Sequence, residues 1–439
     1  MHRRSLLSAA LATAIAVAAI PGEAFAATLV DRATMFLKTT YVLKASLNYA
    51  YGTISATETI TAQNTSGATI SKLHLSVMPR AFGELTSIGG YTVDGKAVKA
   101  AWTNNANLEL QLGRNVAHGE TVVVKLSFKV RASGTIGTSL EGRLSKANGI
   151  MQVSHWFPII SNGHAMRYPG DSQFTRAASK IRLELTTDSS SVRIAAPGKV
   201  VSSSGRTHVY ELTNARDFAF GASPTYRTTT GSVAGITVIA YHTTGAGSTA
   251  VSYAKSALAR YESLFGEYQW TRYVIAQTGR SGSGNEYPGI VFLGGPLFSN
   301  REVVAHETAH QWWYAMVGNE QIREPWLDEG IAEFTANYFY GDFHDYRSNK
   351  PVNTPSTVFP NLPAPVTSSD PNSYNQTIYF KSAKFLEGLR VRMGSTAFFA
   401  ALKALARENH NGVLTTREFY DGMVKRGASR AYLSAFIAL

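Results

Sequence analysis

The chain contains no cysteine. That absence excludes disulfides, thiolate metal ligands, a cysteine nucleophile and a lipid-modified N-terminal cysteine. Any metal must therefore be held by nitrogen and oxygen donors. Charge is also scarce. Only 16% of the 439 residues are charged, against 44% hydrophobic. This balance is that of a packed core under a lightly charged surface, and it excludes disorder. The net charge is +12, or +11 with residues 1–26 set aside. No run of five basic residues occurs, and no nucleic-acid motif accompanies the surplus, so no nucleic-acid partner is expected. Beyond the N-terminal region no stretch reaches 18 apolar residues. The mature chain is expected to be soluble, with no transmembrane segment.

What is present begins with an export signal over residues 1–26. His2, Arg3 and Arg4 form a basic start, Leu6 to Ile20 is apolar, and Ala24-Phe25-Ala26 is an A-x-A cleavage site. Arg3-Arg4-Ser5-Leu6-Leu7 also fits a twin-arginine signal. An exported protein, periplasmic or extracellular, is expected, by either route.

Residues 27–228 read as an all-β antiparallel sandwich. Leu73, Leu75 and Val77 alternate, as do Leu108 to Leu112 and Val122 to Val130. Asp94-Gly95 and His118-Gly119 mark turns between them. This region has no clustered histidines or carboxylates and is expected to serve as a platform. Trp156 and Phe157 read as core aromatics. Arg227 to Ser232 is rich in Thr, Gly and Ser and marks a boundary. Residues 229–439 then read as an α+β domain, mainly helical towards its C-terminus. Ile236 to Tyr241 is a strand, and Ala250 to Phe265 a helix stopped by Gly266. Residues 342–375 hold six of the 15 prolines and read as a long loop. Thr415 and Glu418 form a capping box for a late helix.

The chemistry is concentrated between Ser299 and Gly341. His306 and His310 lie four apart, so a helix puts both imidazoles on one face, one turn apart. Glu307 sits between them as a candidate general base. Glu329, nineteen residues past His310, is the candidate third ligand. Two imidazoles and one carboxylate leave a zinc ion one open position, the donor set of a metallopeptidase. Ser299 with Glu302 predicts a capping box at the start of the first helix, with Gly318 as its stop. Pro325 and Gly341 bound the second. Glu286 follows a Ser/Gly-rich loop and is a candidate to hold a substrate ammonium. Without P-loop or dinucleotide spacing, that loop has no phosphate role.

His306-Glu307-Thr308-Ala309-His310-Gln311-Trp312 and Trp326-Leu327-Asp328-Glu329-Gly330 together resemble the gluzincin zinc aminopeptidases of the aminopeptidase N and leukotriene A4 hydrolase type. The spacing from the second histidine to the glutamate fits this family better than the thermolysin group. The resemblance covers most of the mature chain and is diffuse in the β half. It implies a thermolysin-like zinc peptidase domain behind a β-sandwich. It implies one Zn2+ held by His306, His310 and Glu329, with Glu307 as general base. It also implies that Tyr379, in Tyr379-Phe380-Lys381-Ser382, stabilises the oxyanion, and that Glu286 binds the α-amine of a peptide.

Two departures stand out. Around Glu286 the family motif G-x-M-E-N keeps its glutamate but loses the methionine, replaced by Asn285, and the last asparagine, replaced by Tyr287. The large helical C-terminal domain of longer relatives is also not expected here. Glu333 reads as an outer carboxylate. Glu324 is a candidate to orient a zinc-binding histidine. His155, His164, His242 and His344 lack ligand spacing and read as structural. The expectation is a secreted zinc metallopeptidase acting on peptide substrates, an aminopeptidase first. A zinc endopeptidase, an epoxide-type hydrolase and a non-catalytic peptide-binding relative are the alternatives. Nothing in the chain sets an oligomeric state.

Overall fold

The computed structural model describes residues 36–437, apart from 135–142, 164–174, 244, 283, 322–323 and 342–375. The expected export signal, His164, His344 and the proline-rich loop lie outside the described residues.

The first half is built from long alternating strands. In β1 (Leu37–Asn48) and β2 (Thr53–Asn64) every second side chain is buried, so Leu43, Leu47, Ile54 and Ile60 line one face. The two pair along their whole length, with Leu43 opposite Glu58. They sit inside an eight-stranded sheet. Two four-stranded sheets complete the region. One contains β3 (Ile70–Ser76) and β4 (Asn107–Val116), and β2 is flanked in the large sheet by β5 (Thr121–Arg131). The other contains β6 (Ile150–Val153). Asp94 and Gly95 both take positive φ, 49° and 81°, as a tight hairpin turn requires.

Two details differ from a purely antiparallel, helix-free reading. β1 runs parallel to β7 (Ala178–Thr187), with Thr40 opposite Lys180. Parallel neighbours need a long crossover, and between β1 and β7 the chain makes β2 to β6, which belong to all three sheets. A single helical turn, Met78–Ala81, also interrupts the strands. Trp156 and Phe157 are fully buried core residues. The Trp156 ring lies 5.8 Å from both Phe128 and Phe220, and its Nε1 donates to the Phe218 carbonyl at 2.9 Å.

The second half carries a five-stranded mixed sheet. β8 (Arg227–Val233) pairs antiparallel with β9 (Ile236–His242). β9, β10 (Arg272–Thr278) and β12 (Ile290–Gly294) are parallel, and β11 (Gly284–Tyr287) closes the far edge antiparallel to β12. Helix α1 (Gly247–Phe265) ends where Gly266 takes φ 109°. α2 (Arg301–Ala309) lies against α1, α3 (Glu329–Tyr340) and the edge strand β11. Among the described residues four more helices follow: α4 (Ser382–Met393), α5 (Ser395–Glu408), α6 (Thr416–Lys425) and α7 (Arg430–Phe436). The Thr415–Glu418 capping box forms as expected.

Buried Arg216 ties the halves together. Its guanidinium donates to the carbonyls of Ala315 at 3.2 Å and Gly412 at 3.0 Å, and to that of Thr175. Among the described residues no helix is long and apolar enough to cross a membrane.

Candidate metal and peptide site

α2 starts one residue later than the sequence signal suggested. The capping side chain is Asn300, which accepts from Glu302 N at 3.0 Å and Val303 N at 3.1 Å. Ser299 instead ends a 3-10 turn. The helix also stops early, at Ala309, with His310 as its C-cap. From there the chain folds back on itself: Ala315 N donates to His310 O at 2.9 Å, and Tyr314 sits at φ 138°. Gly318 is therefore not a helix stop. A Cβ there would run into the Arg216 guanidinium, so close packing explains the glycine.

This geometry turns His310 into the site. Its Nδ1 lies 3.1 Å from the Trp313 carbonyl. A carbonyl only accepts, so Nδ1 carries the proton and Nε2 presents a lone pair. His306 Nδ1 lies 3.1 Å from Glu333 Oε2, which holds that ring the same way. Glu333 is in turn held by Asn337 Nδ2 at 2.9 Å. Glu324, expected to orient a histidine, does not do so. Its Oε1 accepts from Thr416 N at 2.9 Å and caps α6 instead.

Glu329 opens α3 and points back at both imidazoles. Its Oε2 lies 3.1 Å from His306 Nε2 and 3.3 Å from His310 Nε2, and the two nitrogens are 3.2 Å apart. A tetrahedral zinc with bonds of about 2.0–2.1 Å sets its ligands roughly 3.3–3.4 Å apart. The triangle of donor atoms therefore fits such an ion. Electrostatics agree. Burial alone would lower both imidazoles, but the carboxylates outweigh it: His306 is raised well above the usual range and His310 to about 9. Burial would raise Glu329, yet the two histidines hold it well below its usual range. The pocket is one where buried carboxylates call for positive charge.

Three further carboxylates surround this triangle, those of Glu307, Glu286 and Asp328. Glu307 is buried, and burial, helped by Glu286 and Glu329 against the imidazoles, pushes it up to about 8. A Cβ on Gly284 would collide with its Oε1, so β11 approaches closely because residue 284 lacks a side chain. Among the described residues the Glu307 Oε2 has no hydrogen-bond partner. Glu286 lies within strand β11 rather than at its start. Glu286, His310 and Asp328 present side-chain donor atoms within 4.8 Å of one another. Asp328 is pushed up to about 7 by burial and by Glu329 beside it. Tyr379 lies on the helical turn Gln376–Lys381, its ring stacked 5.8 Å from His306. Gly330 permits that approach: a Cβ there would strike Ser382 and crowd the Ile378 carbonyl.

Sequence reasoning missed the amides that frame the site. Gln311 Oε1 accepts from Gly289 N at 2.9 Å and its Nε2 donates to Tyr287 O at 3.1 Å, clamping the β11–β12 turn to the end of α2. Gln152, from the β half, donates to Asn285 Oδ1 at 3.2 Å. Asn319 donates to Asp328 Oδ1 at 2.8 Å. Neutral amides carry no periodic or spacing signal. Only the neighbouring histidine and glutamate positions pointed to this part of the chain.

Residues 298–438 match the model of the peptidase family M1 domain. A stretch of 89 residues is 34% identical to Leucine aminopeptidase 2-1 of Meyerozyma guilliermondii, covering 19% of this chain and only 14% of that protein. Among solved structures, an M1 zinc metallopeptidase variant from Deinococcus radiodurans superposes with a TM-score of 0.69 at 17% identity, covering 91% of this chain and 93% of that one. The same variant bound to a Tyr-Ser-Ala substrate gives 0.68 at 18% identity, over 91% of this chain and 93% of the other. At these identities the likeness is one of fold: a β-sheet domain followed by an α+β catalytic domain, helical towards its C-terminus.

Proposed function

We propose, from a chain whose residues 298–438 match the peptidase family M1 domain, that this protein is a zinc aminopeptidase, removing N-terminal residues from peptides. The observation that carries the reading is the donor triangle of His306, His310 and Glu329, with sides of 3.1 to 3.3 Å and Glu307 beside it. Those three residues would hold the ion. When bound there, zinc supplies Lewis acidity toward a peptide carbonyl and toward water.

The chain's own residues do the rest. Glu307 takes the proton of the attacking water and delivers it to the leaving amine; its raised affinity for a proton suits both roles. The Tyr379 hydroxyl donates to the oxygen on which negative charge develops. The Glu286 carboxylate accepts from the substrate's terminal ammonium and so sets which bond lies over the metal. Glu333 and the Trp313 carbonyl hold the two imidazoles in the tautomer that binds metal. The basic, alanine-rich residues 1–26 support export as part of the same proposal.

The test is hydrolysis of one peptide in free and N-acetylated forms by the zinc-loaded protein. Cleavage of the free form alone is expected. Internal cleavage of both forms would replace the aminopeptidase reading with an endopeptidase. A metal-loaded protein inert towards every peptide would make it a binding protein.

A further inference from the structure

Gln321 lies in the connection between α2 and α3 and is 4% exposed. Its amide nitrogen has two hydrogens, and both are taken by carboxylates on different elements. One goes to Glu286 Oε1 at 3.1 Å, on the edge strand β11. The other goes to Asp328 Oδ2, on the residue before the metal-site carboxylate Glu329. The orientation of the amide is settled by these neighbours, because turning it over would set its oxygen against two carboxylates. Among the described residues Gln321 is the only side chain that donates to Glu286. One neutral amide thus links the candidate amine anchor to the element that carries Glu329.

The choice of side chain is informative. Two carboxylates facing each other need a bridge with two donors. Lys or Arg would supply donors together with a positive charge, and would then occupy Glu286 as a substrate ammonium does. A glutamine bridges the pair and leaves the negative charge of Glu286 unspent. Asp328 is fixed from its other side by Asn319 at 2.8 Å, and Asn319 also donates to the Glu324 carbonyl at 3.1 Å. The bridge is therefore anchored in the frame that places α3, not in a free loop.

We propose that Gln321 is the positioning residue for Glu286: it holds the anchor carboxylate in fixed register with Glu329, and so sets the exopeptidase specificity of the site. The proposal rests on the aminopeptidase reading above. It concerns binding of the terminal ammonium and not the chemistry of the metal.

Two variants test it. Gln321→Met keeps the length of the side chain and removes both donors. Gln321→Arg keeps donors and adds the charge. For each, KM and kcat are measured on a free tripeptide, together with the ratio of free to N-acetylated cleavage and the binding of L-leucine by calorimetry. Both variants are expected to raise KM and weaken L-leucine binding by about 10- to 100-fold, the loss of one charge-assisted hydrogen bond. The free-to-acetylated ratio falls by a similar factor, while kcat and zinc content change little. A merely structural role would lower the melting temperature and kcat together and leave the ratio unchanged, which would overturn the proposal. Should Gln321→Met fail to fold, Gln321→Asn, which keeps an amide but is too short to span both carboxylates, decides alone: wild-type KM and selectivity in that variant would equally overturn it. If the wild-type protein itself cuts acetylated peptides as well as free ones, the aminopeptidase reading has failed, and the two failures are told apart.

Discussion

Glu58 and the carboxylates of the metal site are buried alike but are kept in opposite company. Glu58 occupies an inward position of β2, with Leu43 and Leu126 beside it in register, and among the described residues neither of its oxygens has a hydrogen-bond partner. Burial raises its carboxyl well above the usual range, with nothing to oppose it. Such a group stays protonated, and the sandwich core tolerates it as a neutral acid. In the second half, Glu329 is driven the other way by two imidazoles, while Glu307 and Asp328 are raised by burial and by the carboxylates near them. Buried charge alone does not mark a functional site. Convergence of donors at ligand spacing does, and it sets neighbouring carboxyls to different proton affinities.

The sharpest way to break this comparison is Glu307→Gln. The amide keeps the shape that fits against Gly284. Loss of the proton carrier is expected to cut kcat by about 10²- to 10⁴-fold with zinc content unchanged. A loss smaller than about tenfold would remove Glu307 from the proton path. Next come the two outer carboxylates. Glu333→Met removes the acceptor beside His306 Nδ1 and is expected to weaken zinc binding about 10- to 100-fold in competition with a chromogenic chelator. Glu324→Met should leave zinc affinity where it was and destabilise α6, whose Thr416 N it caps. Equal zinc loss in both would mean that orientation by Glu333 contributes nothing specific.

These two glutamates also show how far the sequence could be read. The meeting of His306, His310 and Glu329 was legible because helical spacing and donor type together point to a candidate metal site. The alternating strands and the Thr415–Glu418 cap were legible for the same kind of reason: a short-range rule sufficed. Glu324 misled because nearness in sequence to Glu329 says nothing about direction. It faces Thr416, 92 residues on. Gly318 misled because a glycine needed for close packing against Arg216 looks the same in sequence as a helix stop. Gln321 and Gln311 were invisible, since an amide acquires its role only from what the fold brings to its two ends. The parallel pairing of β1 with β7 is a long-range event that no local pattern announces.

The smallest expected effect sharpens the other side of the comparison. The folded-state pKa of Glu58 is raised, so the unfolded chain loses this proton first as pH rises. Its burial therefore costs no ionisation energy below the unfolded value near 4.5. Above it, stability falls by about 1.4 kcal/mol for each pH unit until the folded pKa is reached. Glu58→Gln removes the titration and keeps the shape. In urea denaturation the variant should match the wild type near pH 4 and exceed it increasingly from pH 5 upward. A gain of the same size at both ends would mean that Glu58 acts through packing or hydrogen bonding. A loss at neutral pH would mean that the carboxylate is ionised and held by a partner. The metal site offers no such clean experiment, because its carboxyls titrate against one another and against two imidazoles. Among the described residues Glu58 has no hydrogen-bond partner, and burial is what raises its carboxyl, which makes it the place where the cost of burial can be measured.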